Sequence, residues 1–298
     1  MKCWLEENKM KSDGELRDFS VEQLIIIRKG LLDGLDVGVY AMLEFNAEQM
    51  DEIRKGLMSK VDVSVYANTK YTAKQMEVIR KGLVNKVDVK RFTNKAFSSE
   101  QMNEIYLGLK SGLDVSCYVD LKYSAEQMAH IRLGLEKGLR VEFYCDSALS
   151  DDQMGKIMLG LEKKLDVAKY ASVDFTIGQM DEILKGLESG LDVTVYSKPE
   201  YSVEQMEVIR KGLEAKVDVG LYLDLSNSAE RMNEIYLGLK ESLEVKLYLD
   251  SKFSIEQMAE IRCGLEDGID ASVYANPSIS VQAMREIRCA LTKDKLIG

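Results

Sequence analysis

The sequence predicts an all-α fold, an α-solenoid of ten 26-residue helix-turn-helix repeats with a partial eleventh, and three observations carry that prediction. A motif that begins at Phe19 recurs at 45, 71, 97, 123, 149, 175, 201, 227, 253 and 279 without one insertion or deletion. A helix-start signal recurs with it, Ser, Thr or Asn at position 2 of all eleven repeats and Gln at position 5 of nine. The chain has only two prolines in 298 residues, Pro199 and Pro277, and both stand at position 25, after the second helix of a repeat. A constant period means that every repeat meets its neighbours through one geometry. The stack is then a rod or superhelix, and stacking supplies burial that a two-turn helix cannot find alone.

The consensus is F/Y-S-x-E-Q-M-x-E-I-R-x-G-L-x-x-G/K-L/V-D-V-x-x-Y-A-x-x-x. Positions 2 and 5 have capping-box spacing, and the aromatic at position 1 with Met at position 6 has the spacing of a hydrophobic staple, so helix A starts at position 3. Met50, Ile53 and Leu57, at positions 6, 9 and 13, mark its buried stripe. Positions 4, 7, 11 and 15 lie opposite on a helical wheel and are expected in solvent. Position 12 is glycine in all ten full repeats, Gly30 to Gly264, although mid-helix glycine costs ~1 kcal/mol relative to alanine. Close helix–helix approach is the expected reason. Gly or Lys at position 16 ends helix A, and Asp at position 18 caps a short helix B whose apolar face holds positions 19, 22 and 23. Residues 1–18, with Trp4, Leu5 and Leu16, read as an N-terminal cap. Residues 19–278 are the array, and 279–298 form the partial repeat and C-terminal cap.

Composition bounds the function. With 40 basic and 50 acidic residues the net charge is −10, which opposes general binding to nucleic acid. The single histidine, His130, and the absence of G-x-x-x-x-G-K-S/T, H-E-x-x-H, G-x-S-x-G and Cys-x-x-Cys leave no catalytic set, metal site or cofactor to propose. Five cysteines without short spacings, an acidic N-terminus and no long apolar run point to a cytoplasmic protein without a membrane span.

The motif resembles a family of short α-helical repeats found in proteins of Firmicutes and their mobile elements, with the signature F-S-x-E-Q-M-x-E-I-R-x-G-L-x-x-G-L-D-V-x-x-Y. The resemblance covers 19–298 and implies repeat architecture. It brings no catalytic residues, and in a mobile-element setting it implies a binder that inhibits a host factor. Leu149 and Asn227 depart from it at position 1.

Function in such arrays is expected where the repeat leaves positions free. Position 10 is Arg in seven repeats (Arg28, Arg54, Arg80, Arg132, Arg210, Arg262, Arg288) but Tyr106 in repeat four and Tyr236 in repeat nine. These two repeats match at 16 of 26 positions, so 19–148 and 149–278 read as a five-repeat duplication, with two similar surfaces or with none. Position 11 follows position 7. Asp51, Glu77, Asp181 and Glu207 precede Lys55, Lys81, Lys185 and Lys211 in the favourable i, i+4 order, whereas Asn, Ala or Gly at position 7 goes with Leu107, Leu133, Leu159, Leu237 or Cys263.

Leu107, Leu133 and Leu159, with Tyr106 and Met158 beside them, form an expected outward apolar strip for a protein partner or a second copy of the chain, and Tyr236 and Leu237 form its counterpart. The competing expectation is that neighbouring repeats cover these positions. The arginine column could hold phosphates or carboxylates, or it could lay its stems on the core and pair with acids such as Glu136, Glu214 and Glu266. Two further alternatives stay open. One is recognition of nucleic acid or a nucleotide by one side chain per repeat. The other is acidic mimicry of nucleic acid by the second half, where repeats six to ten carry 14 basic and 25 acidic residues against 18 and 18 in repeats one to five.

Overall fold

The computed structural model describes residues 18–297, so the expected N-terminal cap, with Trp4, Leu5 and Leu16, lies outside the described residues apart from Asp18. The described residues are all-helical, an array of tandem helical repeats. Ten helices have twelve residues each: α1 (Val21–Leu32), α2 (Ala47–Met58), α3 (Ala73–Val84), α4 (Ser99–Lys110), α5 (Ala125–Glu136), α6 (Asp151–Glu162), α7 (Ile177–Glu188), α8 (Val203–Glu214), α9 (Ala229–Lys240) and α10 (Ile255–Glu266). The last, α11 (Val281–Ile297), has 17. The chain divides into two compact segments, Met1–Met154 and Gly155–Gly298. In the first, α1 packs on α2, α2 on α3, α3 on α4 and α4 on α5; in the second, α7 to α11 pack in the same consecutive way.

Each helix occupies positions 3–14, as the capping signal predicts. In α2 the Asn46 side chain accepts from the Gln49 amide at 2.8 Å and the Gln49 side chain accepts from the Asn46 amide at 2.9 Å. Gln49 does a second job: its Nε2 donates to the Tyr71 carbonyl of the next repeat at 2.6 Å. The link recurs at Gln75, Gln127, Gln179 and Gln257, and Arg231 replaces it by donating to the Phe253 carbonyl at 3.1 Å. The donor at position 5 is thus kept even where Arg231 gives up the capping acceptor, and glutamate could not supply it.

A Schellman motif ends each of the ten twelve-residue helices. In repeat two the Val61 amide donates to the Gly56 carbonyl and Lys60 lies between them with φ 54°. All ten position-16 residues are left-handed: five glycines, four lysines (Lys60, Lys86, Lys164, Lys216) and Ser242.

One expectation is corrected here and one is made specific. Helix B is one turn of 3-10 helix in nine of the ten full repeats, for example Val63–Val65, and not a two-turn helix. Asp62 caps it through the Ser64 amide at 3.0 Å, after which Tyr66 leaves helical geometry. Another turn would carry that tyrosine round and away from helix A. The close approach expected at the position-12 glycine is to helix B of its own repeat, whose Val63 and the tyrosine that follows both lie against Gly56. A Cβ on Gly56 would stand 1.9 Å from the Tyr66 hydroxyl, which donates to the Glu52 carbonyl at 3.1 Å. The close approach repeats wherever position 22 is tyrosine, although the Tyr222 hydroxyl has no hydrogen-bond partner among the described residues, and in repeat three Phe92 presses its ring edge on Gly82 instead. Met50, Ile53 and Tyr66 are fully buried, each contributing on the order of 1.5–3 kcal/mol through removal of apolar surface from water.

Candidate protein-binding surface

The helix face expected in solvent divides in two. Positions 4 and 15, such as Glu48 and Ser59, are exposed, but positions 7 and 11 are half-buried because consecutive A helices flank them. Position 13, expected deep in the core, is also only half-buried. Position 8 takes its place: Glu52, Val78, Glu182, Val208 and Glu260 are all buried.

That position organises the arginine column. The Glu52 carboxylate accepts from Arg80 Nε at 2.8 Å, Glu104 from Arg132 at 2.8 Å, Glu182 from Arg210 at 2.8 Å, Glu234 from Arg262 at 2.7 Å and Glu260 from Arg288 at 3.0 Å. Each pair joins position 8 of one repeat to position 10 of the next. Arg132, Arg210 and Arg262 also bind Glu136, Glu214 and Glu266 at position 14 of their own helices. Arg54, preceded by Ile26, turns to Asp33 and Asp51 at 2.9 and 2.8 Å. Arg28 is exposed and has no acidic partner among the described residues.

Electrostatics follow from this geometry. Burial pushes the Glu182 carboxyl up, but hydrogen bonds from Lys185 and Arg210 outweigh it and hold the group below the usual range. Burial likewise opposes the lowering of Glu260, where Arg285 and Arg288 prevail.

Apart from Ile26, whose successor Arg54 pairs elsewhere, a position 8 that is not acidic is followed by a position 10 that is not arginine. Val78 precedes Tyr106, Lys156 precedes Leu184 and Val208 precedes Tyr236. Tyr106 is only 5% exposed, so the expected outward ring is an interior one. Its hydroxyl accepts from Asn85 Nδ2 at 3.1 Å and the Lys110 ammonium stands 6.0 Å from its ring. Tyr236 is half-buried, and the repeat position that Asn85 holds before Tyr106 is Ala215 before Tyr236, so the duplicated tyrosines do not share one hydrogen-bond partner. Met158 is half-buried on α6.

The position-11 leucines differ from the scaffold around them. In repeats two, three and eight that row holds Lys55, Lys81 and Lys211, paired with Asp51, Glu77 and Glu207 at 2.9, 2.8 and 2.7 Å. The expected Asp181–Lys185 pair is replaced, Lys185 going to Glu182 and Asp181 to Lys156, both at 2.5 Å. Leu107 and Leu133, in successive repeats of the first segment, are half-buried with no such pair, as are Leu159 and Leu237 in the second. Between α3 and α4 a shallow groove runs beside this row, lined by Lys74, Glu77, Lys81, Glu100, Asn103 and Glu104.

His130, half-buried, has an Nδ1 without a hydrogen-bond partner among the described residues. Among those residues no group of three His, Cys, Asp or Glu side chains could hold a metal ion, and no helix is long and apolar enough to cross a membrane. Comparison with known protein families, curated proteins and solved structures returned no match.

Proposed function

We propose that this chain is a non-enzymatic, cytoplasmic repeat protein that binds another protein, and that the position-11 leucines, Leu107 and Leu133 with Leu159 and Leu237, carry the contact. The observation behind this reading is the exchange of half-exposed lysine–carboxylate pairs for bare leucines at one position of a scaffold that otherwise repeats. Affinity then comes from preformed aliphatic anchors, Leu107 and Leu133 in the first segment and, taken separately, Leu159 and Leu237 in the second, presented without ordering cost. Tyr106 supports the first-segment anchors from beneath, since its ring is buried. Inhibition of a host factor is one form such occupancy takes.

Recognition of nucleic acid by one arginine per repeat is less well supported, because six of the seven guanidinium groups in the column already bind carboxylates at 3.2 Å or less. Acidic mimicry retains the support of the second half's 25 acidic against 14 basic residues.

A photo-reactive residue at 107 or 133 tests the proposal, with Ser59 as an exposed control site. A discrete protein adduct from 107 and 133, and none from 59, is expected. Equal labelling at all three sites, or co-purified nucleic acid released steeply by salt, would count against it.

A further inference from the structure

At two junctions position 23 of a repeat meets position 21 of the repeat before it. In the second segment the Ser197 hydroxyl donates to the Lys169 carbonyl across that junction. In the first segment the junction between repeats four and five is occupied on both sides by cysteine, and Cys145 Sγ donates to the Cys117 carbonyl at 3.0 Å. A third group joins them: the Tyr123 hydroxyl, which in repeats three and eight (Tyr71 and Tyr201) reaches a backbone carbonyl at position 23, here lies 3.6 Å from Cys145 Sγ. Both cysteines are half-buried, so a small reagent can reach them from solvent.

We propose that Cys117 and Cys145 form a reversible dithiol–disulfide site that couples repeats four and five to the thiol–disulfide balance of the surroundings. The reagent is a low-molecular-weight disulfide of the glutathione class. The Cys145 thiolate attacks one sulfur of that disulfide, its S–S bond breaks, and the first small thiolate leaves and takes up the proton that Cys145 released. The Cys117 sulfur, losing its own proton, then attacks Cys145 Sγ and expels the second small thiolate, which is protonated in turn. Two protein thiols are oxidised to one disulfide while one small disulfide is reduced to two thiols.

Cys145 is the entry sulfur because the Cys117 thiol and, against the opposing effect of burial, the Tyr123 hydroxyl donate to its thiolate and lower its pKa to about 6. The same hydrogen bond, together with burial, holds Cys117 protonated until Cys145 has reacted. The bridge would close a loop between adjacent repeats and lock their junction, so oxidation stiffens the array at the repeats that carry Leu107 and Leu133.

The test exposes the full chain to graded mixtures of oxidised and reduced glutathione, quenches with acid, alkylates under denaturing conditions and maps peptides by mass. The expected result is a Cys117–Cys145 cross-linked peptide, reversed by dithiothreitol, with neither of these two cysteines alkylatable before the reversal. Cys117→Ser should stop at a glutathione adduct on Cys145, and Cys145→Ser should give neither adduct nor bridge. Serine at position 23 already exists at Ser197, so the second variant should keep its fold, which far-ultraviolet circular dichroism verifies. The proposal is overturned if both cysteines remain alkylatable under conditions that modify the exposed Cys289, or if each carries its own glutathione without a bridge.

Discussion

Replacing Gly56 with alanine separates two physical accounts by the sign of the effect. Helix propensity alone predicts a gain of ~1 kcal/mol, because glycine in the middle of α2 is a poor helix former. The packing predicts a loss. The new methyl carbon would stand 1.9 Å from the Tyr66 hydroxyl, 2.7 Å from a Val63 methyl and 3.1 Å from the ring carbon bearing the hydroxyl. Tyr66 is fully buried and cannot swing aside. Overpacking of this kind costs about 1–3 kcal/mol, and a hydroxyl pushed off the Glu52 carbonyl adds roughly 1–3 kcal/mol for buried polar groups left unpaired. After the propensity gain, Gly56→Ala should destabilise by about 1–5 kcal/mol.

Urea unfolding should be combined with hydrogen exchange, since a nearest-neighbour array need not unfold in one step and the damage should centre on repeat two. Adding Tyr66→Phe removes the atom at 1.9 Å and should restore part of the loss, with a coupling of at least ~0.5 kcal/mol. An alanine variant as stable as the parent, or more stable, would refute the packing argument.

Other perturbations read other contacts. Gln179→Glu would set a carboxylate oxygen against the Tyr201 and Pro199 carbonyls, which now accept at 2.6 and 2.9 Å, and should cost ~2–3 kcal/mol in thermal melts; Gln179→Arg should cost less, following Arg231. Lys60→Gly should stabilise modestly, by ~0.5–1 kcal/mol in urea titrations, because φ 54° is strained for lysine and natural for glycine. Asp51, Glu182 and Glu260 have carboxyl groups depressed by their cationic partners in the folded chain. Their contribution is therefore complete above the unfolded glutamate value of 4.5, or 3.8 for Asp51, and is lost as pH falls through the lower folded values. Melting temperature should drop across that acidic window, and Glu182→Gln should flatten the drop while lowering stability at neutral pH.

The helix starts and the array were legible because capping chemistry is local: Ser/Thr/Asn with Gln three residues later specifies α2 or α8 without knowledge of any neighbour. What was missed depends on contacts between repeats or between the halves of one. Position 8 varies among Glu, Val, Lys and His and looks like a surface position until it is aligned with the residue 28 further on; Glu52 with Arg80, against Val78 with Tyr106, was the signal. The same omission turned Tyr106 outward. The wheel assumed one buried stripe, whereas a helix flanked on both sides buries two, which draws positions 7 and 11 partly inward. The conserved-length glycine column had a visible partner in the tyrosine ten residues later, but no local rule connects them. Of the strip, the leucines at position 11 remain as surface features, while its position-10 members belong in part to the interior.

The most direct measurement rewrites the leucine row into the scaffold's own alternative. Asn103→Glu with Leu107→Lys, and Ala129→Glu with Leu133→Lys, install in repeats four and five the pair that Glu77 and Lys81 form at 2.8 Å in repeat three. Stability should stay within ~0.5 kcal/mol, as expected for surface ion pairs, while capture of the partner that cross-links at 107 and 133 falls at least tenfold. Unchanged capture by the folded variant, or collapse of the fold itself, would contradict the assignment of these leucines to a partner.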